Sequence, residues 1–200
     1  MRDFTQLLSG FRCWDQATHD SFFKGVPPGD LLLQNRAELI AFCEWMEGQN
    51  IRSYLEIGIW TGRLVSTLHQ LFQFEKIAIC DTGFSGMCGL PLHLPPSVYN
   101  FWGDSHSLEF MAWRNALGPM DMVFIDGDHS YEGVRKDFEL NVRYPHRFLV
   151  FHDIKGGHEM TKGVQRLWNE LPGSNKLEFV RPNPEVSGPN SEMGIGVWWR

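Results

Sequence analysis

From Tyr54 onward, short apolar runs alternate with amphipathic helical segments, and this alternation leaves the chain few folds to choose from. The runs are Tyr54–Ile59, Lys76–Asp81, Val98–Trp102, Met120–Asp126, Arg147–His152, Lys176–Arg181 and Gly194–Trp199. Helical spacing marks Leu31–Trp45, Gly62–Phe72, Ser107–Ala116, Tyr131–Asn141 and Thr161–Leu171. Strands separated by helices build an open, mostly parallel sheet with helices on both faces. The last two runs have only a loop between them and should pair antiparallel. The expected fold class is therefore α/β: a Rossmann-like, seven-stranded, mostly parallel sheet with an antiparallel C-terminal hairpin. Residues 1–50 read as an N-terminal helical cap segment on a domain spanning 51–200, the whole making one compact domain. Residues 4–24 suggest one or two short helices, and Asp30 is an N-cap candidate for the helix starting at Leu31. Pro182–Ser191, rich in Pro, Gly, Asn and Ser, is the best candidate for a mobile loop.

Composition narrows the function classes. With 200 residues, 42% of them hydrophobic and 21% charged, one core of useful size can form. A net charge of −6 gives no global attraction to nucleic acid or an anionic membrane. No apolar run is long enough to span a bilayer, and residues 1–30 lack the pattern of a signal peptide. The four cysteines form no C-x-x-C pair, and Cys43 and Cys80 fall in apolar patterns. They read as buried thiols in a reducing, cytoplasmic setting.

Ligands of open sheets bind at the carboxyl ends of the strands, and the informative residues follow the strands. Tyr54-Leu-Glu-Ile-Gly-Ile-Trp-Thr-Gly-Arg63 is a strand, a glycine turn and a helix start, with the acid Glu56 at its edge. Such a turn brings backbone N–H groups and a helix N-terminus against a small ligand. Asp81 ends the second strand about twenty residues on, where an acid can accept from both ribose hydroxyls; the competing role is a cap or turn acid. Gly103-Asp-Ser105 suits recognition of a base by Asp104 and Ser105, or simply an Asx-type turn. Ile125-Asp-Gly-Asp-His-Ser-Tyr131 clusters two carboxylates and an imidazole. Asp126 is a candidate oxygen ligand for a divalent cation, and His129 a candidate proton acceptor. The competing role is a cap by Asp128 or Ser130 with His129 merely exposed. Adjacent strand ends lie about 5 Å apart, so Asp126 and Asp153 could share one metal.

Together these motifs carry a resemblance. Leu55-Glu-Ile-Gly-Ile-Trp-Thr-Gly62 resembles motif I of class I S-adenosylmethionine-dependent methyltransferases, in the O-methyltransferase form with an aromatic at Trp60. With Ile125–Glu132, Gly103–Ser105, Phe151-His-Asp153, Gly163–Trp168 and Gly194–Val197, the chain is similar to a bacterial small-molecule O-methyltransferase family. That family is itself similar to macrolide-sugar O-methyltransferases and cephalosporin hydroxylase-like proteins. The resemblance covers about residues 50–200. It implies S-adenosyl-L-methionine as cofactor, with Glu56, Gly58, Thr61 and Gly62 around its methionine part. It further implies Asp81 on the ribose, and Asp104 and Ser105 beside adenine. Asp126 and Asp153 would bind Mg²⁺, and His129 would act as base on an acceptor hydroxyl. The chain departs at His152, where the metal-binding relatives carry a further acid. A histidine is a poorer ligand for hard Mg²⁺, so a weak site or a softer cation such as Mn²⁺ follows.

The expected reaction is O-methylation of a small hydroxylated acceptor, a sugar or a phenolic, with Asp126 and His129 as the catalytic pair. The acceptor pocket should draw on the N-terminal segment and the loops 82–97 and 182–191, with Phe84, Tyr99, Phe101 and Trp102 as candidate ring contacts. One alternative is a hydroxylase-like iron site built on His129, Asp153 and His152 or His158. Strand neighbours 152 and 153 should point to opposite faces, which weighs against using both. Another is a non-catalytic binding protein on the same fold. The acidic chain speaks against nucleic acid. The apolar end Val197-Trp-Trp-Arg200 suggests a sheet edge covered by a second subunit in a homodimer.

Overall fold

The computed structural model describes residues 2–187 and 191–200. The N-terminal quarter holds three helices, α1 (Phe4–Leu8), α2 (Gln16–Phe22) and α3 (Arg36–Glu47). Then follow β1 (Ser53–Ile57), α4 (Arg63–Phe72), β2 (Lys76–Asp81), the short α5 (Phe84–Met87) and β3 (Tyr99–Trp102). The second half runs α6 (Leu108–Leu117), β4 (Met120–Ile125), α7 (Tyr131–Asn141), β5 (His146–His152), α8 (Lys162–Glu170), β6 (Lys176–Phe179) and β7 (Ile195–Trp198). The strands form one sheet in the order β3-β2-β1-β4-β5-β7-β6. The pairs among β1 to β5 are parallel, while β7 runs antiparallel to both β5 and β6. The expected sheet and its closing hairpin are thus present. No helix among the described residues is long and apolar enough to cross a membrane.

Strand alternation sorts the core into two layers. Tyr54, Met122, Phe124 and Val150 face one side, packed with Phe4, Leu39, Phe42 and Val65 from the N-terminal helices and α4. Leu55, Val123, Leu149 and Phe151 face the other, with Phe110, Val134, Val164 and Trp168 from α6, α7 and α8.

Two expectations need correction. The helix expected from Leu31 starts at Arg36. Leu31 and Leu32 are buried in irregular chain, the Leu32 N–H donates to the Arg12 carbonyl, and Asn35, not Asp30, caps the helix by accepting from the Ala37 N–H at 2.9 Å. Apolar residues there satisfy tertiary packing, which helical periodicity cannot distinguish from helix. The C-terminal run is not a sheet edge either. β7 lies between β5 and β6, and Trp198 is buried against Phe138, so this chain covers the apolar end itself. The edges are β3 and β6. The mobile loop expected over 182–191 includes residues 188–190, which lie outside the described residues. Its first part is tied down, Asn183 donating to the Trp14 carbonyl at 2.9 Å.

Candidate active site

The carboxyl ends of β1, β2, β4 and β5 open into a cavity of about 840 Å³, towards the upper end of the ~300–1,000 Å³ usual for small-molecule sites. Its lining includes Glu56, Gly58, Asp81, Asp104, Ser105, Asp126, His129 and Asp153. Eight residues chosen from sequence therefore share one cavity. Thr61 and Gly62 do not line it.

The glycine turn explains the difference. Gly58 has φ +81°, and a Cβ there would lie 2.2 Å from the Asp126 carbonyl oxygen. Only glycine allows β1 and β4 to converge so closely at the cavity floor. Gly62 also has positive φ, but its Cβ would meet the His93 carbonyl oxygen at 2.5 Å. It makes room for the loop before β3. Thr61 is fully buried, and its carbonyl accepts from the His93 N–H at 2.8 Å. Trp60 reaches back to donate from Nε1 to the Gly29 carbonyl at 3.0 Å. Arg63 grips Asp30 with two hydrogen bonds of 2.8 and 2.7 Å, and His93 Nε2 lies 3.0 Å from the same carboxylate. The second half of the motif thus clamps the cavity walls in place.

Glu56 is buried beneath the turn and accepts a 2.6 Å hydrogen bond from the Tyr54 hydroxyl. Burial pushes its carboxyl well above the usual carboxylate range. Asp81 accepts from the Ile59 N–H at 2.8 Å and the Gly83 N–H at 2.5 Å, which fixes its rotamer and leaves lone pairs free.

At the far end, β4 and β5 bring four titratable groups together. His129 Nε2 lies 3.2 Å from Asp126 Oδ1 and 3.0 Å from Asp153 Oδ2. His152 Nδ1 lies 3.2 Å from Asp126 Oδ1 and 3.7 Å from Asp153 Oδ2. One donor atom each from Asp126, His152 and Asp153 fall within 4.8 Å of one another. The expectation that residues 152 and 153 face apart is overturned. Asp153 has φ +59°, a left-handed turn at the strand end that swings its carboxylate back beside His152. Burial alone would raise Asp126, yet the two histidines hold it down at about 2. Burial alone would lower the histidines. The carboxylates raise His152 to about 9 and His129 well above its ordinary value.

Much of the remaining wall comes from the N-terminal segment, as expected, although sequence reasoning named none of its residues and considered His158 only as an iron ligand. Trp14, His19, Phe22, Phe23 and Gln34 enter from the N-terminal segment, and His158 from the loop after β5. The His158 ring sits 5.1 Å from that of Phe22 and 4.8 Å from that of Phe23. The aromatics scattered through residues 4–24 are the sequence signal for this wall. Of the candidate ring contacts, Phe84 lines the cavity, whereas Tyr99, Phe101 and Trp102 do not. Phe101 packs on Phe110 and Trp113, while Tyr99 and Trp102 are exposed on edge strand β3. From the C-terminal loop region the described lining is Glu192 and Met193.

A family model described as a methyltransferase domain matches residues 31–154. The chain belongs to this methyltransferase family. The match begins in the irregular segment before α3 and ends just past Asp153, so it spans the glycine turn and the four-group cluster. No curated protein matches the chain. Among solved structures, cofactor-bound Rv0187 from MTB is 16% identical, with a TM-score of 0.61 over 92% of this chain and 88% of that one. The O-methyltransferase TomG from Streptomyces achromogenes, in complex with SAM, is 15% identical, with a TM-score of 0.58 over 100% and 90% of the two chains. An O-methyltransferase from Bacillus cereus in complex with SAH is 12% identical, with a TM-score of 0.59 over 100% and 92%. At these identities the likeness is one of fold, and the methyltransferase fold extends to residues on both sides of the matched domain.

Proposed function

We propose that this methyltransferase binds S-adenosylmethionine and transfers its methyl group to a hydroxyl oxygen of a small acceptor. The observation that carries the reading is the single cavity joining the Glu56–Gly58 turn, Asp81 and Asp104 to the Asp126/His129/Asp153 cluster. It offers a nucleoside end and a reactive end. The solved O-methyltransferases of the same fold, holding SAM or SAH, support it.

The donor's methyl carbon is already electrophilic, so the protein must align the acceptor oxygen behind it and manage one proton. Gly58 and the buried Glu56 shape the pocket for the methionine part. Asp81 accepts from ribose hydroxyls, and Asp104 and Ser105 flank the base. Asp126, Asp153 and His152 fit a divalent cation, and their mixed oxygen and nitrogen donors suit Mn²⁺ better than Mg²⁺. Such a cation would supply positive charge that acidifies a hydroxyl beside it. His129 receives the acceptor proton at Nε2, the atom facing both carboxylates. While paired with both it holds a proton of its own, so its service as base requires that one carboxylate be engaged elsewhere. Acceptor recognition falls to the aromatic wall of α2 with His158.

Calorimetric titration with S-adenosylhomocysteine, with and without Mn²⁺ or Mg²⁺, tests the reading. Micromolar binding that Asp81→Ala abolishes is expected. Absence of binding under every condition would refute it. A second reading rests on His129 and His152 both bearing on Asp153, the beginnings of a two-histidine, one-carboxylate iron site. Oxygen-dependent turnover with Fe²⁺ and no methyl donor would favour that reading instead.

A further inference from the structure

We propose that Asp137 and His106 form a buried relay that positions Asp104 against the base of the cofactor; the inference rests on the methyltransferase reading above. Asp137 lies within α7 and is fully buried, and neither of its carboxyl oxygens has a hydrogen-bond partner among the described residues. A lone carboxylate in a protein interior is strongly unfavourable and calls for a counter-charge. Among the described residues the one ion-pair contact of Asp137 is His106, whose Nε2 stands 3.3 Å from Oδ1, off-line for a straight hydrogen bond. The pair sits at the cavity floor: His106 lines the cavity, and a Cβ on Gly127 would stand 3.8 Å from Asp137 Oδ2.

The other ring nitrogen of His106 connects the pair to the ligand. Nδ1 lies 3.5 Å from Asp104 Oδ1, and that oxygen also accepts the backbone N–H of His106 at 2.8 Å. The Asp104 side chain is 67% exposed, so without these contacts little would hold its orientation. A doubly protonated His106 presents one N–H to Asp137 and the other to Asp104. Asp104 then meets the base as a fixed acceptor, suited to an exocyclic amine. Asp137 never touches the ligand; it acts through His106, and His106 acts through Asp104.

A pH signature follows. The charged groups facing His106 are Asp104 on its own loop and Asp137 and Lys136 on α7. Asp137 raises the histidine above its ordinary value, against burial and Lys136. The relay is therefore complete below that raised pKa and fails as pH rises through it. Cofactor affinity should be constant below that raised pKa and fall as pH rises through it.

The test pairs two measurements on the full chain. The pKa of His106 is read by NMR titration of its imidazole carbon-bound protons, in wild type and in Asp137→Asn. SAH affinity is read by calorimetry across the same pH range, in wild type, Asp137→Asn and His106→Gln. Thermal melting confirms that both variants fold, and the isosteric Asp137→Asn stands in if His106→Gln does not. A raised His106 pKa that Asp137→Asn lowers is expected. His106→Gln should weaken SAH about tenfold, as loss of a charge-assisted hydrogen bond does, and flatten the pH profile. An ordinary His106 pKa, or one that Asp137→Asn leaves in place, overturns the relay whether or not SAH binds. An intact relay beside wild-type SAH affinity and pH profile in His106→Gln overturns its role in binding. Failure of wild type to bind SAH at any pH, with the raised pKa present, instead overturns the cofactor reading and the coupling built on it.

Discussion

Gly58 and Asp153 hold the two ends of the cavity by opposite means. Gly58 adopts a conformation that suits glycine and leaves no space for a Cβ. Asp153 adopts a comparable φ although it carries a side chain, a strain of about 1–3 kcal/mol that the surrounding contacts must offset. Gly58→Ala should therefore lose at least about 2 kcal/mol of stability and weaken SAH binding, both measurable by thermal melting and calorimetry. Wild-type melting would contradict the close approach of β1 to β4. For His129→Asn, SAH affinity should be retained and turnover should fall roughly 10²- to 10⁴-fold, the range for loss of a general base. Unchanged turnover would remove His129 from proton transfer. The glycine was legible in sequence because its motif is local. The partnership of His152 with Asp153 was not, because it depends on one left-handed residue that strand alternation does not anticipate.

Between elements, the contacts that set the cavity's shape join distant parts of the chain. Asp30 ties the N-terminal segment to α4 through Arg63, whose hydrogen bonds hold the carboxyl at about 2 against an ordinary 3.8. A depressed carboxyl stabilises the fold above its ordinary pKa, and the gain is lost as pH falls from near 3.8 toward about 2. Asp30→Ala should cost about 1 kcal/mol, since the pair is partly solvated, and should reduce the loss of stability seen by melting in that acid range. An undiminished acid transition would mean that Asp30 contributes nothing to it. Glu38 makes a parallel link from α3 to the C-terminal segment. Fully buried, it accepts from the Arg181, Met193 and Gly194 N–H groups at 3.1, 3.3 and 2.8 Å. Glu38→Ala leaves those donors unsatisfied and should cost roughly 2–4 kcal/mol, read from denaturant unfolding. A loss under ~0.5 kcal/mol would show that water replaces the carboxyl. Neither role could be read from residues 30–38, whose pattern also suits an ordinary helix start.

At the scale of the whole molecule, the N-terminal segment is part of the fold rather than an appendage. Phe4 and Leu8 are buried in the same layer as Leu39, Phe42 and Phe74. Phe4→Ala should cost about 3–5 kcal/mol, and the measured melting temperature should fall accordingly. A fully stable variant would indicate a detachable cap. Residues 14–34 also bring the aromatic wall to the cavity, so the N-terminal segment serves both the core and the cavity.

Local patterning along the chain was enough to specify the sheet, its closing hairpin and most of the strand-end residues. Those depend on periodicity and on short motifs, which are properties of neighbouring residues. Tertiary structure alone decided that Thr61 and Gly62 serve the cavity wall, that the C-terminal tryptophans are covered from within, and that His152, Asp153 and His129 converge. It alone placed Asp137 behind His106. Each of these outcomes depends on which segments pack against which, and a buried polar side chain finds its partner across the fold, where spacing along the chain carries no information.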